Sequence, residues 1–124
     1  MTSDPGPTTF LNVDLDLRCT TGLDELLAAF APDIIVLHRA GDVAVLEAAA
    51  DSPTLEAAVT GLLDLIAVLP PALHRLWLGC ESRTFNIGLR AGVSPGGMVF
   101  DLPAGTVQRI ATAGASIAIT VYAR

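Results

Sequence analysis

The sequence predicts an α+β domain, a two-layer sandwich with helices on one face of a mostly antiparallel sheet. Three observations carry this expectation. Phe10–Arg18 and Arg83–Arg90 alternate apolar and polar residues with a period of two, as half-buried strands do. Ser52–Leu69 repeats apolar residues at three- and four-residue steps, which marks a helix with one dry stripe. Strand-like and helix-like segments are interleaved along the chain rather than grouped into separate halves.

A chain of 124 residues is one domain's worth and can bury a core. Its residues are 52% apolar and only 16% charged, the opposite of the balance that keeps a chain disordered. So much apolar surface exceeds what a small interior hides, so a homodimer is expected. The net charge is −6, and all seven cations are arginine. An acidic chain with scattered arginines lacks the electrostatic footprint of a nucleic-acid binder and is not drawn to acidic membranes. The absence of lysine, with abundant Ala, Leu and Gly, reads as the genomic bias of a GC-rich bacterium.

Met1–Thr9 carries Asp4 and two prolines but no basic or apolar region, so it is read as a flexible arm and not as a signal peptide. Residues 10–124 form the single domain. The apolar run Ala57–Val68 is too short to span a bilayer and is broken by Asp64. A cytoplasmic protein is expected. In that compartment Cys19 and Cys80, far apart and without CxxC spacing, are expected as free buried thiols.

In chain order, Phe10–Arg18 is a strand with Val13, Leu15 and Leu17 on one side and Asn12, Asp14, Asp16 and Arg18 on the other. Cys19–Gly22 is a turn. Leu23–Phe30 is a short helix closed by Ala31-Pro32. Asp33–Arg39 is apolar on both sides through Ile34–Leu37, which predicts a central strand. Ala40-Gly41-Asp42 turns a hairpin into Val43–Ala48. Ser52 offers an N-cap oxygen and Pro53 suits the first position of the long helix, which Pro70-Pro71 ends. Ala72–Leu78 adds a helical turn that brings Leu73, Leu76 and Trp77 to the core. Arg83–Arg90 is a strand, Ala91–Gly97 a hairpin loop, and Met98–Leu102 a short strand. Pro103 opens a helix with Gly114 as its C-cap, and Ser116–Tyr122 closes the chain as a strand. The order includes ferredoxin-like elements.

The run Phe100–Tyr122, FDLPAGTVQRIATAGASIAITVY, resembles a bacterial family known as domain of unknown function 4279. In that family a short strand and a helix start lead to an aliphatic-alanine, small, glycine segment. A last strand then ends in an aromatic residue. Ile110-Ala111, Gly114 and Tyr122 hold those places here. The resemblance is specific over the last quarter and architectural elsewhere. A tryptophan strand and a glycine-proline stretch common in the first half of members are missing. The resemblance brings no catalytic residues, and it implies a protein-binding, immunity-type role.

Candidate chemistry is sparse. Asp14 and Asp16 lie on one strand face, roughly 7 Å apart at about 3.3 Å per residue, and could serve as acid and base or hold a cation. A solvated strand face balanced by Arg18 is the simpler explanation. His38 and His74 lack ligand spacing to each other or to Cys19, Cys80 or Glu81, so no metal site is expected. Cys80 with His74 matches no nucleophile signature, and the neighbouring Glu81 would oppose a thiolate. Gly92–Gly97 has neither the lysine nor the following helix of a phosphate loop. Trp77 suits a core anchor better than an interface anchor.

The least ordinary stretch is Glu81–Arg90. Asn86 and Arg90 share a face with Gly88 between them, and Gly88 leaves room for a backbone or ligand to approach. With Arg83 nearby, on the opposite alternation if the strand is unbroken, the arginines could bind an anion or an acidic segment; salt bridges to Asp14, Asp16 or Glu81 across the sheet are the more ordinary reading. The expected function is non-enzymatic protein binding through Asp14, Asp16, Arg18, Arg83, Asn86 and Arg90, with no cofactor. A small-molecule or anion-binding regulatory domain using Arg83 or Arg90 is the alternative. A hydrolase built on the aspartates or Cys80 is the weakest reading.

Overall fold

A computed structural model describes residues 6–93 and 96–123. Five strands form one sheet: β1 (Thr9–Arg18), β2 (Ile34–Ala40), β3 (Val43–Ala48), β4 (Ser82–Arg90) and β5 (Ser116–Tyr122). Four helices accompany them: α1 (Leu23–Phe30), α2 (Leu55–Ala67), α3 (Pro71–Leu78) and α4 (Ala104–Thr112). The strands lie in the order β2-β3-β1-β4-β5. All neighbours are antiparallel except β4 and β5. The fold is therefore the expected α+β sandwich. From β1 to β4 the element order and the sheet order β4-β1-β3-β2 are ferredoxin-like, with α3 inserted and α4–β5 added at the end.

The alternation in β1 works as the sequence implies. Val13, Leu15 and Leu17 are buried, and they meet Ala44 and Leu46 of β3 and Phe85 and Ile87 of β4 in one core. The dry stripe of α2 (Leu55, Val59, Leu62, Leu63 and Ile66) covers that core. Trp77 of α3 is its largest fully buried side chain. Its indole meets the Phe30 ring edge-on at 6.3 Å and donates to the Ala113 carbonyl at 2.8 Å. Gly114 takes φ 71°, the left-handed conformation that suits glycine after a helix, and the Ala115 N–H returns to the Ile110 carbonyl.

Several expectations are corrected. The N-cap of α2 is Thr54, whose Oγ1 accepts from the Ala57 N–H at 3.1 Å, not Ser52. Residues 49–53 are used to carry the chain from sheet to helix layer, so the helix begins later. β2 is an edge strand, not a central one, and Ile35, Val36 and Leu37 are exposed. The helix layer stops short of it, so its apolar sides stay uncovered.

Met98–Leu102 is not a strand, so no hairpin pairs it with β4; Ser94 and Pro95 of the expected loop lie outside the described residues. The place beside β4 is filled by β5, which leaves this segment nothing to pair with; Phe100 and Leu102 instead rest on the core. Of the expected arm, Met1–Pro5 lie outside the described residues. Gly6 and Thr8 are tied down: the Val93 N–H donates to the Gly6 carbonyl and the Gly92 N–H to Thr8 Oγ1. Gly92 permits this, because a Cβ there would run into the Pro7 and Thr8 backbone. Finally, Cys19 and Cys80 are not free thiols but a disulfide that joins the end of β1 to the start of β4. Among the described residues no helix is long and apolar enough to cross a membrane.

Candidate functional site on the open sheet face

All the core residues of the sheet point towards the helices, which leaves the other face free of covering elements among the described residues. Strand alternation puts Asn12, Asp14 and Asp16 of β1 on that face. The β1–β4 register sets Asp14 opposite Asn86 and Asn12 opposite Gly88. Glu47 of β3 joins from the other side, and Thr120 of β5 lies beside Gly88.

Two side-chain amides bind the face together. The Asn12 Nδ2 group donates to Asp14 Oδ1 and to Glu47 Oε2, both at 3.1 Å. Asn86 Nδ2 approaches Asp16 Oδ2 at 3.4 Å, and Thr120 Oγ1 donates to Asn86 Oδ1 at 2.8 Å. A polar band thus runs across four strands. Its carboxylates are held by amides. The two ion pairs described, Arg39–Asp24 and Arg109–Asp64, lie elsewhere.

Partial burial, with Glu47 and then Asp16 adding repulsion, pushes the Asp14 carboxyl from its ordinary 3.8 up to about 6. The raised value means that the folded state holds a proton the unfolded chain has already released. Stability from this group is therefore complete below the ordinary value and is lost as pH rises through about 6. Asp14→Asn should stabilise the protein at pH 7 by about 1 kcal/mol, after solvent screening of a half-exposed group is allowed for, and by nearly nothing at pH 3.5. Urea denaturation at both pH values checks this. Equal effects at the two would remove the proposed ionisation.

Gly88 has a specific occupant. A Cβ there would lie 2.5 Å from Asn12 Oδ1 and 3.5 Å from the Tyr122 ring. The space read from sequence as room for a ligand is filled by Asn12. Gly88→Ala should displace Asn12, break its amide bridge and cost about 1 kcal/mol. The cost should shrink in an Asn12→Ala background, and a double-mutant cycle reads the coupling.

The structure brings Asp14, Asp16 and Asn86 together, and puts Arg18 and Arg90 at opposite ends of the same face. Arg83 is not on it. Arg83 pairs in register with Leu17 and turns towards the helices. Its guanidinium donates to the carbonyls of Gly114, Trp77, Leu78 and Cys80, at 2.9, 3.0, 3.1 and 2.7 Å. It lies 6.0 Å from the Trp77 ring centroid. It therefore closes the C-terminal ends of α3 and α4, where a cation is favoured. Glu47 and Thr120 were missed. The signal for Glu47 was a lone charge in β3, out of phase with Ala44 and Leu46.

His38 of β2 and His74 of α3 stand on different layers. Among the described residues no group of three His, Cys, Asp or Glu is placed to hold a metal ion. Cys80 has no thiol to act as a nucleophile while it is bonded to Cys19. No protein-family model, curated protein or solved structure matches the chain.

Proposed function

We propose that this chain is a non-enzymatic protein-binding domain whose open sheet face receives a basic segment of another protein. The observation that carries this reading is the acidic band of Asp14, Asp16 and Glu47, held in fixed positions by Asn12 and Asn86 and with no ion pair made to it among the described residues. Carboxylates fixed in this way need no ordering when an arginine or lysine arrives, which favours association. The depression lined by Leu11, Asn12, Glu47, Arg90 and Tyr122 is open to solvent, and an open surface suits a macromolecule better than a small substrate, which needs an enclosed site. The resemblance of residues 100–122 to domain of unknown function 4279 adds membership of that bacterial family and an immunity-type role to the proposal.

The anion-binding alternative has lost one of its two arginines, because Arg83 is occupied by carbonyls. The expected cytoplasmic location, from which free thiols followed, is a poorer fit to a bonded pair than an oxidising compartment.

The test compares partner capture by the wild type and by Asp14→Arg with Asp16→Arg, at low and raised salt. A stoichiometric basic partner, lost in the variant and weakened by salt, is the expected result. A partner held equally by both proteins would move the interface off this face. An anionic metabolite that raises the Tm of the wild type but not of Arg90→Ala would favour the alternative.

A further inference from the structure

We propose that the outer edge of β5 is the seam of a two-fold homodimer, in which Ser116–Tyr122 pairs antiparallel with the same strand of a second copy. This uses a different surface from the open face and stands independently of that reading.

β5 ends the sheet, so one side of its backbone has no neighbouring strand among the described residues. The Ala91 N–H donates to the Tyr122 carbonyl at 2.8 Å on the β4 side. Main-chain groups alternate between the two edges of a strand, so those of Thr120 and Ala118 also turn to β4. Those of Ile117, Ile119 and Val121 turn outward. The same three side chains face the helix layer but are not covered by it: they are 42%, 62% and 59% exposed.

These facts select one occupant and one register. An antiparallel pair centred on Ile119 sets Ile119 against itself and Ile117 against Val121 of the second copy. The outward-turned groups then fall opposite one another in hydrogen-bonded pairs, and every apolar side chain at the seam meets another apolar one. The helices of both copies lie on the same side of the joined sheet.

Ser116–Tyr122 contains no charge, proline or glycine, and no register shift interrupts its pairing with β4. It therefore lacks the devices that keep edges apart. Its neutrality also lets two copies of an acidic chain meet without like charges at the seam. The other edge differs. β2 has a register shift between Val36 and His38, and its Arg39 is engaged with Asp24. A single seven-residue edge buries less than the roughly 800 Å² per partner of a standard interface, so the dimer should dissociate on dilution.

Sedimentation equilibrium over a concentration series should show the mass doubling for the wild type. Ile119→Lys, which sets like charges face to face, should weaken self-association about tenfold or more. Its far-ultraviolet circular dichroism should be unchanged, because the side chain is exposed. Ile119→Cys supplies the register test. Hydrogen-bonded antiparallel pairs have Cα atoms about 5.5 Å apart, within disulfide range, so mild oxidation should link two chains through position 119. Val36→Cys on the other edge should not link. A protein that stays monomeric at millimolar concentration, or a dimer that links through position 36 and not 119, overturns the proposal.

Discussion

Trp77→Ala is expected to cost about 3–5 kcal/mol, a large share of the roughly 5–15 kcal/mol that holds a domain of this kind together. Three losses coincide at this residue. The indole is wholly buried, so its removal leaves a cavity under α1, α3 and α4. The edge-on contact with Phe30 goes with it, worth about 0.5–1.5 kcal/mol beyond area. The Ala113 carbonyl loses its indole donor at the end of α4. Trp77→Phe helps to separate these contributions, since it keeps an aromatic ring and much of the packing while removing the donor; it should cost about 1–2 kcal/mol. Urea denaturation followed by circular dichroism measures both. A loss below about 1 kcal/mol for the alanine variant would mean that the core can close over the site, contrary to dense packing.

The sequence made Trp77 legible as a core anchor because α3 presents Leu73 and Leu76 beside it. It did not make Arg83 legible. An arginine at the start of an alternating strand looks the same whether it meets a ligand or the ends of two helices. Only the three-dimensional meeting of Trp77, Leu78, Cys80 and Gly114 around the guanidinium decides between them.

β2 shows a different limit. Ile34–Leu37 is apolar on both sides, and that pattern suits a strand buried on both faces or one at an edge awaiting a partner. Periodicity describes a strand's sides, not its rank in the sheet. β1, β3 and α2 were readable because each has one dry side facing one core, so local pattern and tertiary position agree. On the open face, Asp14, Asp16 and Asn86 followed from alternation alone. Glu47 and Thr120 did not, because cross-strand register is a property of pairs of segments.

The cysteine pair depends on register in the same way, and its removal should have the second large effect. The two residues are 61 apart in sequence, so bonding them removes a long loop's freedom from the unfolded chain. The chain-entropy argument gives about 4 kcal/mol for a loop of that size, and removal of native disulfides costs about 2–5 kcal/mol. Cys19→Ala with Cys80→Ala should therefore lose about 3–4 kcal/mol. The corner that holds the pair is braced independently. The Glu81 N–H donates to the Arg18 carbonyl, and the Glu81 carboxylate accepts from the Thr20 N–H at 3.0 Å and from the Thr20 hydroxyl. Those hydrogen bonds hold the carboxyl below its usual range. With this bracing, the native state of the double variant should keep its far-ultraviolet spectrum, and the loss should fall mainly on the unfolded side of the equilibrium. The denaturant slope should then rise, because an unbonded chain exposes more surface when it unfolds. Reduced wild type should match the double variant in both midpoint and slope. Thiol titration of the denatured, unreduced protein gives the deciding control. Two reactive thiols per chain would remove the bond, and with it the case for an oxidising compartment.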